Sequence, residues 1–344
     1  MLTRREFTRV AATCAGAAML CLAGCGGQSD SPAPGTQASS NAGVDGQMSR
    51  TIFAFDTVVT IKATCSQETM KALSDRCAYF ESIFSRTIET SDIGRVNAAG
   101  GKPVEVAPET ADLVSKALRY CEESDGRFDI TIGAVSTLWD FKEGIVPEPA
   151  AIQEAVKHVG YANVQVEGTT ITLTDPKAKL DLGGIAKGYI ADDLCKMLAE
   201  AGCTSGLVNL GGNVKTVGVR PDGASWRVGV QDPNGGPNDL IGTAESEDSS
   251  VVTSGLYERQ FEKDGEHYWH ILDPKSGYPV QTDLVSATIF SADSIDGDGY
   301  TKPLFMLGRD AALAWVDAKD GIEALLIDAN GTILQTSGCN AELM

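Results

Sequence analysis

Three stretches of this sequence hold residue types suited to phosphate and metal ions: Asp181-Leu-Gly-Gly-Ile-Ala-Lys-Gly188, His270-Ile-Leu-Asp-Pro-Lys-Ser-Gly277 and the acid Asp298. Paired glycines ahead of a helix let backbone N–H groups approach an anion, and the helix dipole adds positive potential at that end. Lys187 supplies a mobile positive charge. Asp298, read as a loop residue just before a helix that starts near Thr301, is the hard oxygen ligand that magnesium favours. His270 stands at a strand end before a Pro/Gly turn, and an imidazole there can move a proton near neutral pH. Together these parts describe a site that splits or transfers a phosphoanhydride.

Each part also has a plainer reading. Asp181-x-Gly-Gly-x-x-Lys-Gly188 lacks the glycine spacing of a Walker A loop, and a tight strand-to-helix turn explains it nearly as well. Asn209-Leu-Gly-Gly-Asn213 either ends a strand or lines the same diphosphate groove. Asp273 and Ser276 can cap turn backbone. Asp293, Asp296 and Asp298 form an acidic loop without the EF-hand spacing, and its bland role is to cap the following helix. Of the other histidines, His158 reads as a complement to a helix C-terminus and His267 as an exposed strand residue.

The elements that position these residues alternate without a regular βαβ repeat. Thr51 to Ala63 alternates like a strand. Met70, Leu73, Cys77, Phe80 and Phe84 mark one face of a helix from Glu68 to Phe84. Further helices are expected at Glu109–Glu123, Glu148–Val159, Ile185–Ala201, Thr301–Leu307 and Asp310–Asp317. A hairpin spans Val164 to Thr174. Strands are expected at 206–210, 226–231, 267–272, 285–290, 323–328 and 332–336, with surface loops at 218–225 and 233–248. Frequent hairpins favour an α+β fold with mixed or antiparallel sheets and packed helices.

The N-terminus reads as an address. Thr3-Arg4-Arg5-Glu6-Phe7 resembles a twin-arginine signal, the apolar run Val10–Ala23 is short of the roughly 20 residues that span a bilayer, and Leu22-Ala23-Gly24-Cys25 resembles a lipobox. Residues 1–24 are then an export signal, Cys25 carries lipid, and residues 25–48 form a flexible tether to a body spanning 49–344. The expected location is the outer face of a bacterial cell membrane. The formal net charge of −19 argues against nucleic-acid binding, and it requires any phosphate site to be locally basic or metal-neutralised. The cysteines beyond the lipobox match no zinc or Cys-x-x-Cys spacing, and Cys77, Cys121 and Cys195 fall on apolar helix faces.

Several collinear stretches carry a family likeness: Phe55-Asp-Thr57, Ser91-Asp-Ile-Gly-Arg-Val-Asn97, Gly126-Arg-Phe-Asp-Ile-Thr-Ile-Gly133 with Trp139, Asp181 to Asp192, Leu207 to Asn213, Thr253-Ser-Gly-Leu-Tyr257, His270 to Pro279 and Asp298 to Gly308. On these the chain resembles the FAD:protein FMN transferase (ApbE) family across its globular body. The resemblance implies a magnesium-dependent reaction in which FAD is split, AMP leaves, and FMN is esterified to a Ser or Thr of a partner protein. The implied acceptor is an extracytoplasmic flavoprotein bearing an Asp-x-x-Ser/Thr-Gly-Ala-Ser/Thr motif.

By position, the resemblance assigns Asp181 and Lys187 to the dinucleotide, the Gly184 carbonyl and Asp298 to magnesium, and Phe128 and Asp129 to the cofactor wall. Phe55 packs near the flavin, and Leu272 touches FAD beside His270, which with Lys187 and Asp298 makes the catalytic set. Two positions depart from the pattern. Lys302 stands where the family usually places a metal-ligating threonine, with Thr301 beside it as a substitute. Thr87 stands where an aromatic platform is frequent. Hydrolysis of FAD to FMN and AMP, and flavin binding without catalysis, are the alternative readings.

Overall fold

The fold is given by a computed structural model that describes residues 40–42, 46–236 and 238–344. The export signal, Cys25 and most of the expected tether lie outside the described residues. Nine strands form the main sheet: Ser40–Ala42, Met48–Ala54, Thr57–Ala63, Ser205–Leu210, Asn213–Gly218, Ser250–Gly255, Leu284–Ser291, Glu323–Asp328 and Ile333–Gln335. Their order across the sheet is their order along the chain, and every neighbouring pair is antiparallel. Two three-stranded sheets and the hairpin Gln260–Lys263/Glu266–Trp269 complete the β structure. The expectation of α+β architecture holds. Strand Ser40–Ala42 falls within the stretch expected to be tether, so backbone pairing reaches back into it.

Residues 64–204 fold between two adjacent strands, Thr57–Ala63 and Ser205–Leu210. Helix Gln67–Phe84 opens there because Ser66 accepts from the Thr69 amide at 3.0 Å, satisfying one of the free first-turn donors. Its buried face is Met70, Leu73, Cys77, Phe80 and Phe84, the spacing legible in the sequence. Burying each of the larger side chains stabilises the fold by roughly 1.5–3 kcal/mol. Cys77, Cys121 and Cys195 are buried free thiols.

Four local expectations are corrected. Thr51–Ala63 is a hairpin rather than one strand. It turns at Phe55-Asp56, where both residues have positive φ (56° and 57°) and Ala54 pairs with Thr57. The 233–248 loop contains strand Leu240–Ser246, which pairs with Trp226–Gln231. Helix Pro149–Val156 ends before His158, whose Nδ1 lies 2.7 Å from Asp175 Oδ2, so a hydrogen bond to another segment replaces the expected helix-end role.

The fourth correction bears on the site. The helix expected near Thr301 begins at Ser294, which puts Asp298 inside a helix rather than in a loop. Asp192, on helix Ala186–Glu200, accepts from the amides of Ser294 (2.7 Å) and Ile295 (3.0 Å) and so supplies the cap from another element.

Candidate active site

Helix Ala186–Glu200 packs closely against helix Ser294–Leu307, and glycine makes the approach possible. A Cβ at Gly188 would collide with the Ser294 carbonyl oxygen. That closeness lets the Gly188 amide donate to Asp298 Oδ2 at 2.7 Å. One turn further along its helix, Lys302 donates from Nζ to Asp298 Oδ1 at 2.9 Å. Asp298 is 1% exposed. Burial pushes its carboxyl up, but Lys302, Lys187 and the Gly188 amide outweigh that, and the group lies below its ordinary value.

Lys187 follows the turn that holds Gly183 and Gly184, and its Nζ donates to the Gly211 carbonyl at 3.3 Å. The two glycine turns noted in the sequence therefore meet. Burial lowers the Lys187 ammonium, opposed by Asp298 and Glu258. His270 joins the same group of charges. Burial, then Arg259 and Lys302, push its imidazole down to about 3, so the ring is neutral at physiological pH. Its backbone amide donates to the Arg259 carbonyl at 3.0 Å, and its buried Nδ1 has no partner among the described residues. Lys187, His270, Asp298 and Lys302 thus converge, from segments spread across more than a hundred residues of chain.

Glu258 and Arg259 belong to this group and were not singled out in the sequence. They directly follow the Thr253–Tyr257 stretch that carried the resemblance. Surrounding protein pushes the Glu258 carboxyl up, against the pull of Lys187, Lys302 and Arg259. Gly184 lies between the Phe128 ring and the Lys302 stem: a Cβ there would stand 3.1 Å from Phe128 Cε2 and 3.9 Å from Lys302 Cε. Phe128, at 6% exposed, is therefore one wall of the turn.

Other expected site residues are engaged by neighbouring groups. The Asp129 carboxylate is used up by neighbours: Oδ1 accepts from Thr131 N (2.8 Å) and Oγ1 (2.6 Å), and Oδ2 from Tyr161 N (2.9 Å). It fixes the loop that presents Phe128 rather than offering free oxygens. Asp181 Oδ1 accepts from Gly183 N at 2.9 Å, shaping the turn, while Oδ2 takes Ser136 Oγ at 2.7 Å and pairs with Arg86 Nε at 3.0 Å. Arg86 was another omission, since no local pattern marks it. The Leu272 side chain is buried with Val135, Trp139 and Ile152. Phe55 occupies its hairpin turn, held by a 3.1 Å bond from its amide to Glu81 Oε1.

The side-chain donors expected for magnesium, Asp298 and Thr301, do not suit it as they stand. Both Asp298 oxygens are engaged, one of them by an ammonium. Thr301, fully buried, accepts from Ser254 Oγ at 2.9 Å and sends its own hydroxyl toward the Asp298 carbonyl at 3.4 Å, so it does not replace a missing ligand. Magnesium needs a near-octahedral set of hard oxygens at about 2.0–2.1 Å. A lysine cation occupies that neighbourhood instead.

Comparison with known proteins places the chain as a whole. The ApbE family model matches residues 55–326. An FAD:protein FMN transferase of Treponema pallidum is 35% identical over 276 residues, covering 75% of this chain and 76% of the relative. One from Klebsiella pneumoniae is 37% identical over 263 residues, covering 75% and 81%. The crystal structure of the ApbE protein from Thermotoga maritima superposes with a TM-score of 0.77 at 31% identity, over 88% of this chain and 97% of that one. Alike in sequence over most of its globular length and in backbone over nearly all of it, the chain belongs to the ApbE family and is one of its enzymes.

Proposed function

We propose that this enzyme moves the FMN half of FAD onto a Ser or Thr hydroxyl of an acceptor protein outside the cytoplasm and releases AMP. The observation that carries this reading is the gathering of Lys187, Lys302 and Arg259 around a neutral His270, beside a glycine turn that opens a helix. Phosphoryl transfer asks a protein chiefly for alignment and charge neutralisation, and this site offers both.

In the reaction the acceptor oxygen bonds to the FMN phosphorus while the bond from that phosphorus to the bridging oxygen breaks. AMP departs with the bridging oxygen. Lys187 and Arg259 stabilise the charge that grows on the leaving phosphate. The acceptor hydroxyl loses its proton to the His270 imidazole. Diphosphate binding favours that role, because its negative charge offsets the smaller share of the depression that comes from Arg259 and Lys302, although burial still holds the ring below its ordinary value. The amides after Gly183 and the helix end face the anion, and Phe128 and Phe55 supply apolar walls.

Magnesium dependence, expected from the resemblance, is not part of this mechanism, since the donor set around Asp298 does not suit the ion. A lipid on Cys25 holding the enzyme at the outer face of the membrane completes the proposal. The test is direct. The purified enzyme is incubated with FAD and a protein bearing Asp-x-x-Ser/Thr-Gly-Ala-Ser/Thr, and the acceptor is viewed by flavin fluorescence in a denaturing gel. Fluorescent acceptor with one AMP per label supports transfer. AMP without label would mean hydrolysis, and intact FAD would mean binding alone. A Cys25→Ser chain should leave the membrane fraction; retention there would refute the anchor.

A further inference from the structure

We propose that the Lys302 ammonium stands in for a divalent cation at Asp298, so that this enzyme neutralises the FAD diphosphate without a metal ion there. The inference rests on the FMN-transfer reading and says which cation serves it.

Three observations carry it. First, the carboxylate is spoken for: Oδ2 holds the Gly188 amide at 2.7 Å and Oδ1 holds the ammonium at 2.9 Å. A divalent ion bound to the same oxygen would have to displace the lysine or share the carboxylate with it against like-charge repulsion, at a residue that is 1% exposed. Second, the ammonium is placed to serve a phosphate. Its stem runs beside Gly184, in the glycine turn that leads into helix Ala186–Glu200, and only one of its three N–H groups is used among the described residues. Third, the local charge favours an anion: Lys187, Lys302 and Arg259 set three cations against Asp298 and Glu258, a positive excess that offsets part of a diphosphate's charge.

Asp298 then has a different task from ligation. It is a positioning residue: fixed by Gly188, it holds the lysine at a set point. Thr301 cannot reach that point, since its hydroxyl is bound to Ser254 in the core.

The test uses the purified full chain in detergent, with FAD present and metals removed by EDTA. Wild type is expected to release AMP and label the acceptor at the same rate in EDTA as in millimolar magnesium. Lys302→Thr, which puts a hydroxyl one turn from Asp298, is expected to lose about 100-fold in EDTA and to recover with magnesium. Binding is read separately from turnover. Electron paramagnetic resonance of one equivalent of Mn2+ with FAD should show free ion for wild type and a bound signal for Lys302→Thr. A tight wild-type Mn2+ site, or an EDTA-sensitive wild-type rate restored by magnesium, would overturn the proposal. If no condition gives turnover, the transfer reading fails, while the Mn2+ comparison still decides the lysine's role.

Discussion

The Gly188 amide and the Asp298 carboxylate are joined at 2.7 Å, tying the first turn of one helix to the middle of another. Asp298 therefore serves the packing of the enzyme as well as the chemistry proposed for it. Asp298→Asn keeps an acceptor for Gly188 but removes the charge that steadies Lys302. Turnover should fall about 100-fold, the scale of losing one preorganised electrostatic contact. Near-normal far-ultraviolet dichroism with a drop in AMP release checks this; full activity would show that the charge is idle.

Gly188→Ala isolates the packing. The new methyl group meets the Ser294 carbonyl, which is backbone and cannot swing aside. Overpacking of this kind costs about 1–3 kcal/mol, measurable as a lower urea midpoint, and it should push Asp298 out of register and reduce activity. Gly202→Ala is the control. Its φ of 76° makes the change unfavourable, but nothing lies within 4 Å, so stability should drop by only about 1 kcal/mol and activity should stay.

His270 links stability to pH. Its folded value of about 3 lies below the ordinary 6.5, so between those values the unfolded chain binds a proton that the folded protein refuses. Its contribution is complete above pH 6.5 and is lost as pH falls toward 3. Urea unfolding at pH 7 and pH 5 should show wild type losing about 1–2 kcal/mol more than His270→Gln over that interval. Equal losses would mean that the imidazole titrates normally in the folded protein.

Phe55 is a bulky side chain in left-handed backbone, where glycine or asparagine is usual. Phe55→Gly relieves that cost while adding chain entropy, so the melting temperature should stay close to that of wild type. FAD affinity should nonetheless weaken about fivefold, the size of one lost aromatic contact. Fluorescence quenching of FAD measures it, and unchanged affinity would remove Phe55 from the flavin wall.

How much of this was legible depended on whether an element was stabilised by its own residues. The face Met70 to Phe84 read correctly because its burial follows helical spacing. The helix around Asp298 did not, because Asp296-Gly-Asp-Gly299 has poor helix propensity and its cap is Asp192, about a hundred residues earlier. Lys187, His270 and Asp298 could be named from residue type. The resemblance set Lys302 at the ligand position beside Asp298, but that the lysine donates to the carboxylate itself could not be read, since the helix start fixes how the two side chains meet. Glu258 and Arg259 stayed hidden because they join the site through a short turn between sheets. Strand Leu240–Ser246 was masked by its Gly- and Pro-rich approach.

Because residues 64–204 fold between two neighbouring strands, the walls of the site are contributed at very different times during synthesis. Phe128, Gly184 and Lys187 leave the ribosome well before His270, Asp298 and Lys302. A chain that ends ahead of helix Ser294–Leu307 lacks Asp298 and Lys302, so the charge cluster is complete only once that helix has been made.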